Sequence, residues 1–234
     1  MTRKSNARLA GFMFLLYIVT GITSMVLFRQ AMGDATGTAA KLAAIAEHAM
    51  LVRLTVLLML LMFVYAAVLG VTLYALTRDE DRDLAMMALI CRVSEGVIGA
   101  VSGARTLGLL SLALSSSAGV AANTAATNAL GEMLLKQGGE STLIGATCFA
   151  LGSTLFSYLF LRARSIPVSL AWLGVISSLL LLLAIPVQLT GFISGQATYL
   201  IWMPMLVFEV TLALWLIIKG VAIPLNRQSP RAEA

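Results

Sequence analysis

Residues 84–103 read LAMMALICRVSEGVIGAVSG, an apolar stretch of membrane-spanning length with charged residues near its middle. At about 1.5 Å per residue, a helix over this stretch covers the roughly 30 Å hydrocarbon core of a bilayer. An isolated charge at that depth costs roughly 2.5–3.5 kcal/mol on insertion scales, so intramembrane charges usually face a protein interior or a wet cavity. We therefore expect Arg92 and Glu95 to mark a polar centre inside a bundle of helices.

The rest of the chain contains five further apolar stretches of comparable length. They lie near residues 9–28, 55–76, 142–161, 168–189 and 199–218, and the stretch at 84–103 can extend to 114. With 59% hydrophobic and 12% charged residues, the composition lies far outside the range of soluble domains. The sequence predicts an all-α integral membrane bundle of six transmembrane helices. It forms a single domain over 1–220, followed by a short polar tail at 221–234 that we expect to be disordered.

The distribution of Lys and Arg predicts the orientation of the chain, because positively charged flanks tend to stay in the cytoplasm. With a cytoplasmic N-terminus, ten of these residues fall inside and four outside. The inside set is Arg3, Lys4, Arg8, Arg78, Arg82, Arg162, Arg164, Lys219, Arg227 and Arg231, and the outside set is Arg29, Lys41, Arg53 and Lys136. Both termini are therefore predicted to be cytoplasmic. The same bias accounts for the net charge of +5, so no nucleic-acid partner is expected.

The loops differ in length and composition on the two predicted sides. The outer loops, 29–53 and about 115–141, are long and carry helix-forming residues at 39–51 and 128–136. We expect these two segments to be short amphipathic helices on the outer membrane surface. The inner loop 77–83 is short and dense in charge, which is typical of a solvated turn between two spans.

Helical geometry places the charges of the third stretch on one face. At about 100° per residue, a single arc of roughly 100° collects Ala85, Ala88, Arg92, Glu95, Gly96, Gly99 and Gly103. Because small residues let a neighbouring backbone approach closely, we expect Gly96, Gly99 and Gly103 to be helix-packing positions. Glu209 in the last stretch is the expected partner, since it and Arg92 both lie about 14 Å from the cytoplasmic side at about 1.5 Å per residue.

The resulting polar centre of Arg92, Glu95 and Glu209 has two interpretations. It is either a buried ion-pair clamp between spans three and six, or a centre for proton coupling or for a small polar or ionic ligand. Two carboxylates facing one guanidinium in low dielectric should not both be ionised, so one is expected to hold a proton. We assign that proton to Glu95 if Glu209 takes the arginine. Pro186 and Pro204 are typical of kinked helices that open a cavity.

Enzyme motifs are mostly absent from the sequence. Two segments, AVSG at 100–103 and FISG at 192–195, partly resemble the serine motif of a rhomboid-like protease, but the single histidine, His48, precedes both. There is no zinc-protease motif, phosphate loop or paired-cysteine metal site. We predict no catalytic residues, no metal and no cofactor. Cys91 and Cys148 are interpreted as packing residues.

The leading hypothesis is a non-enzymatic protein of transport, sensing or assembly, with the lipid bilayer as its partner. The alternatives are an intramembrane enzyme using Glu95 or Glu209 as general acid or base, and a purely structural scaffold.

Several ordered motifs resemble one known family. They are RLAG at 8–11, LLYIVTG at 15–21, Arg53, LYAL at 73–76, the Arg92–Glu95 element, SYLFLRARSIP at 157–167, LAWLGV at 170–175 and EVTLALWLIIKG at 209–220. This set resembles the bacterial multi-pass family named domain of unknown function 4386. The resemblance implies a bacterial cytoplasmic (inner) membrane protein without an established activity. It supports Arg92, Glu95 and Glu209 as the centre and Arg53 as a secondary candidate.

Overall fold

The protein folds into α-helices throughout the part described by the computed structural model, which comprises residues 2–119, 124–192 and 196–222. About 89% is helical, and these residues contain no strand. Their seven helices are α1 (Arg3–Met32), α2 (Thr38–Glu47), α3 (Ala49–Thr77), α4 (Arg82–Ser117), α5 (Thr124–Ala163), α6 (Val168–Leu189) and α7 (Gln196–Ile218). The predicted all-α fold is confirmed.

Six of these helices are long and apolar enough to cross a membrane by length and composition: all except α2. The chain is therefore a multi-pass membrane protein. The predicted stretch 168–189 coincides with α6, and the others fall within α1, α3, α4, α5 and α7. Pro186 and Pro204 both lie inside continuous helices. Neither one ends its helix.

The second outer loop differs from its prediction. Residues 128–136 do not form a separate surface helix, because they belong to α5, which runs without a break for 40 residues. This segment contains no proline, and a helix that continues satisfies its own backbone hydrogen bonds, whereas a break leaves them open. At about 1.5 Å per residue, α5 is roughly twice as long as the hydrocarbon core is thick.

The first outer loop contains the predicted helix, although it is shorter than expected. It covers Thr38–Glu47 and ends at His48, which is exposed and whose backbone N–H donates to the carbonyl of Ala44. Leu42 and Ile45 are almost fully buried in a cluster with residues of α1, α3 and α4. The apolar face of α2 therefore packs against protein.

The helices belong to two compact units. The first comprises Met1–Leu16, Tyr65–Glu95 and the described residues from Gly145 on, and the second comprises Tyr17–Val64 and Gly96–Ile144. The single domain over 1–220 stays a prediction. Ala222 belongs to the predicted tail, and its backbone N–H donates to the carbonyl oxygen of Ser165 at 2.9 Å. Residues 223–234, with Arg227 and Arg231, lie outside the described residues.

The charged turn between α3 and α4 is solvated as predicted, since Arg78, Asp79, Arg82 and Asp83 are exposed, and some of its acidic residues also pair with other elements of the first unit. Arg162 of α5 places its Nε 2.9 Å from Glu80 and its Nη1 3.5 Å from Asp81. Arg3 of α1 lies 3.5 Å from Asp79. Asp81 also accepts the backbone N–H of Leu84 at 3.1 Å, which satisfies one open donor at the start of α4. The acidic residues thus connect α1 and α5 to this turn.

Candidate functional site

The first unit positions Arg92 by close approach of its neighbouring helices. On the same side of α4, Ala88 is fully buried. Gly152 of α5 lies against this face, where an added Cβ would come within 3.1 Å of the Cβ of Cys91 and 3.3 Å of the carbonyl oxygen of Ala88. Gly70 of α3 is similarly close to the side chain of Arg92 itself. Small residues on both neighbours therefore enclose this position.

Arg92 connects two carboxylates, one on its own helix and one on α7. Its Nη1 donates to Glu95 Oε2 at 2.8 Å, and its Nη2 donates to Glu209 Oε1 at 3.4 Å. Arg92 is 1% exposed and Glu209 is 6% exposed. The prediction that Arg92 lies within salt-bridge reach of Glu209 or Glu95 is confirmed, and Arg92 reaches both. These three residues are called the three-charge centre below.

The contacts of Arg92 differ from those assumed when the proton was assigned to Glu95. The assignment assumed that Arg92 pairs with Glu209 and that Glu95 is protonated. In the structure Arg92 binds both carboxylates, with the shorter distance to Glu95. The identity of the protonated carboxyl stays a prediction.

Two aromatic rings also contact the guanidinium. The Cζ of Arg92 lies 4.9 Å from the ring centroid of Phe149 and 5.7 Å from that of Phe14. The Phe149 ring in turn stacks on Trp202, with centroids 5.7 Å apart. Ring faces carry partial negative charge and attract a desolvated cation. The aromatic partners therefore supply part of the stabilisation that water would provide, and the sequence argument missed them.

The space beside the three-charge centre is small. A cavity of about 10 Å³ is bordered by Arg92, by Ser153 and Ser157 of α5, and by apolar side chains. A cavity needs about 10–15 Å³ of such volume to hold one water molecule. Neither Pro186 nor Pro204 borders this cavity, which has room for about one water molecule.

A known family matches most of the chain that carries this centre. Residues 9–220 match the model of DUF4386, described as a domain of unknown function. The chain belongs to this family. No curated protein and no solved structure matches it. All three members of the three-charge centre lie within the matched DUF4386 region, as do the two rings beside Arg92.

Other predicted residues of this DUF4386 protein are placed elsewhere. Arg53 is exposed near the start of α3 and belongs to the second unit. Gly96 is buried, and Gly103 packs against α3, where an added Cβ would lie 3.3 Å from Val56. Gly99 differs from its expectation, since an added Cβ there would meet no atom within 4 Å. It is exposed, whereas Gly96 and Gly103 on the same helix are buried.

Proposed function

We propose that this DUF4386 protein is a non-enzymatic scaffold of a bacterial cytoplasmic membrane, in which the three-charge centre is an ionic clamp between α4 and α7. The observation that carries the proposal is the state of Arg92. Its side chain is 2% exposed and bonded to carboxylates on both helices. A clamp needs a closed and paired site, whereas a solute pathway needs an open one.

The energetics of buried charges support the clamp. Removing one partner of a buried pair leaves an uncompensated charge and lowers the stability of the fold by about 3–5 kcal/mol. Replacing the whole set by uncharged groups often leaves the stability almost unchanged. A clamp therefore makes the correct pairing of α4 and α7 much more stable than a mispaired arrangement that separates Arg92 from Glu209. Its contribution lies in specificity more than in total stability.

A second candidate is proton-coupled transport or sensing, and the ratio of charges favours it. Two carboxylates share one guanidinium, so the centre has a net negative charge when all three groups are ionised and is neutral after it takes up one proton. Such a centre would couple protonation to the strength of the α4–α7 contact. The present geometry would then be the closed state of a protein that opens.

The enzymatic alternative has the least support. General acid or base catalysis requires the carboxyl group to reach a substrate atom within hydrogen-bond distance. Here both carboxylates contact Arg92, and the neighbouring cavity of about 10 Å³ has room for about one water molecule.

Neutralisation of the centre, singly and completely, tests the clamp. Glu209→Gln and Arg92→Met should each lower the free energy of unfolding by about 3–5 kcal/mol. The triple variant Arg92→Met/Glu95→Gln/Glu209→Gln should recover most of this loss in detergent-solubilised protein. Arg53→Met, at an exposed cation, is the control. Wild-type stability in both single variants contradicts the clamp.

Infrared spectroscopy distinguishes the two candidates. A proton-handling centre should give a protonated-carboxyl band in the wild type that responds to pH and disappears in Glu95→Gln or Glu209→Gln. Proteoliposomes should then also show a proton flux that these variants lose. A wild-type protein with neither signal, together with a rescued triple variant, supports the clamp alone.

A further inference from the structure

A shallow groove lies on the outward face of α1 close to its beginning. It has a volume of about 410 Å³ and is lined by Thr2, Lys4, Ser5, Arg8, Leu9 and Phe12. Lys4 and Arg8 are one helical turn apart, so their side chains extend over the same surface. The groove therefore presents a pair of cations and neighbouring hydroxyl groups in one place.

Within the residues that the structure describes, these two cations have no carboxylate partner. No acidic residue borders the groove, and in the described part of the chain neither Lys4 nor Arg8 lies within salt-bridge distance of a carboxylate. Arg3, the neighbour of Lys4, behaves differently, since it pairs with Asp79 at 3.5 Å and donates to the carbonyl of Leu76 at 3.0 Å. The helix thus uses one cation for internal packing and leaves two directed outward.

The surface below the cations is apolar. Phe12 is 52% exposed and Leu16 is 42% exposed, and both lie on a helix that is apolar enough to span a membrane. A bilayer lipid has the complementary arrangement, in which a phosphate group lies directly above acyl chains. The geometry points to a binding site for one anionic phospholipid, with its phosphate between Lys4 and Arg8 and its acyl chain along Phe12 and Leu16.

This site is independent of the clamp, because it shares no residue with the three-charge centre. The proposed site is also more specific than the general tendency of cations to lie near a cytoplasmic surface. That tendency depends only on the number of charges on one side. The groove predicts that two particular charges discriminate between lipids while others on the same predicted side do not.

The experiment compares two double variants with equal loss of charge. Purified full-length protein is placed in vesicles of phosphatidylcholine with a small fraction of phosphatidylglycerol, and bound phosphatidylglycerol is measured by native mass spectrometry or by fluorescence titration. Lys4→Gln/Arg8→Gln should weaken binding by about fivefold per charge and about 25-fold in all, which equals about 1 kcal/mol for each cation near an anionic membrane. Arg78→Gln/Arg82→Gln, the matched control, should change it little.

Three results would overturn the site. The first is wild-type affinity in Lys4→Gln/Arg8→Gln. The second is an equal loss in both double variants, which would indicate general charge attraction. The third is complete displacement of the lipid by inorganic phosphate at an equal concentration, which would indicate a free-anion site. Unchanged thermal unfolding of both variants should show that the fold is intact.

Discussion

Arg92 combines two kinds of partner in one buried position. Carboxylates on α4 and α7 take its donors at 2.8 and 3.4 Å, and ring faces of Phe149 and Phe14 lie beside its plane. Hydrogen bonds to charged groups depend on direction, and a cation is attracted to the face of an aromatic ring. The guanidinium is therefore oriented by the carboxylates and further stabilised by the two ring faces.

The contribution of the rings can be measured with a double-mutant cycle. Phe149→Leu should destabilise the wild type by about 1–2 kcal/mol more than it destabilises an Arg92→Met background, because the cation–ring attraction is present only in the first. Unfolding free energies of the four proteins in detergent give this coupling. Phe28→Leu, in the second unit, is the control and should show no coupling with Arg92→Met. Zero coupling for Phe149 would mean that its role is packing alone.

The sequence allowed the charged residues of the centre to be predicted, but not the aromatic rings that contact Arg92. Intramembrane charges are rare, so matching the depths of Arg92 and Glu209 was enough to predict their contact. Phenylalanine is ordinary on both sides of a membrane helix. Phe12 is 52% exposed and Phe14, two residues later, is 4% exposed. Neither spacing nor composition separates these two residues, because the difference depends on which helix lies opposite.

At the scale of helices, close packing depends on particular glycines. An added Cβ at Gly11 of α1 would lie 2.5 Å from the carbonyl oxygen of Ala213 and 2.7 Å from a side-chain carbon of Ile217 on α7. The backbone atom cannot move aside without moving the helix. Of the two glycines Gly99 and Gly103, both expected to pack, Gly103 contacts α3 whereas Gly99 faces open space. A stripe of small residues predicts which side of a helix is buried, while the opposing helix decides which residue is in contact.

Two alanine substitutions test this distinction. Gly11→Ala should destabilise the protein by about 1–3 kcal/mol through overpacking. Gly99→Ala should be neutral or stabilising by up to about 1 kcal/mol, since alanine favours the helix and the space is open. Thermal or denaturant unfolding of the two variants gives the comparison. A larger loss for Gly99→Ala than for Gly11→Ala would contradict the packing described for these helices.

Hydropathy predicts the positions of the spans but not always the ends of the helices. The predicted spans agree with the helices in number and position, and α6 agrees at both ends. The α5 helix begins at Thr124, well before the apolar stretch at 142–161. Hydropathy reports where a segment can contact lipid, whereas backbone hydrogen bonds decide where the helix begins. A polar segment without a proline can therefore extend a helix well beyond its apolar stretch.

At the scale of the whole chain, the uneven distribution of cations predicts the orientation. The ends that carry most Lys and Arg are the start of α1, the α3–α4 turn and the α5–α6 turn, and all three belong to the first unit. Some of these cations are used in ion pairs with the acidic turn, as Arg3 and Arg162 are. The charge bias acts during membrane insertion, before such pairs form, so internal pairing does not weaken the prediction.

Cysteine labelling tests this orientation with positions chosen from the structure. In a background where Cys91 and Cys148 are replaced by alanine, single cysteines at Thr36 and Ser117, both exposed, should react with an impermeant maleimide in intact cells. Single cysteines at Arg82 and Arg164, also exposed, should react only after the membrane is opened. Because six spans place both turns of the first unit on one side, labelling of Arg82→Cys and Arg164→Cys from opposite sides would refute the six-span topology. Labelling of both from outside would keep six spans and reverse their orientation.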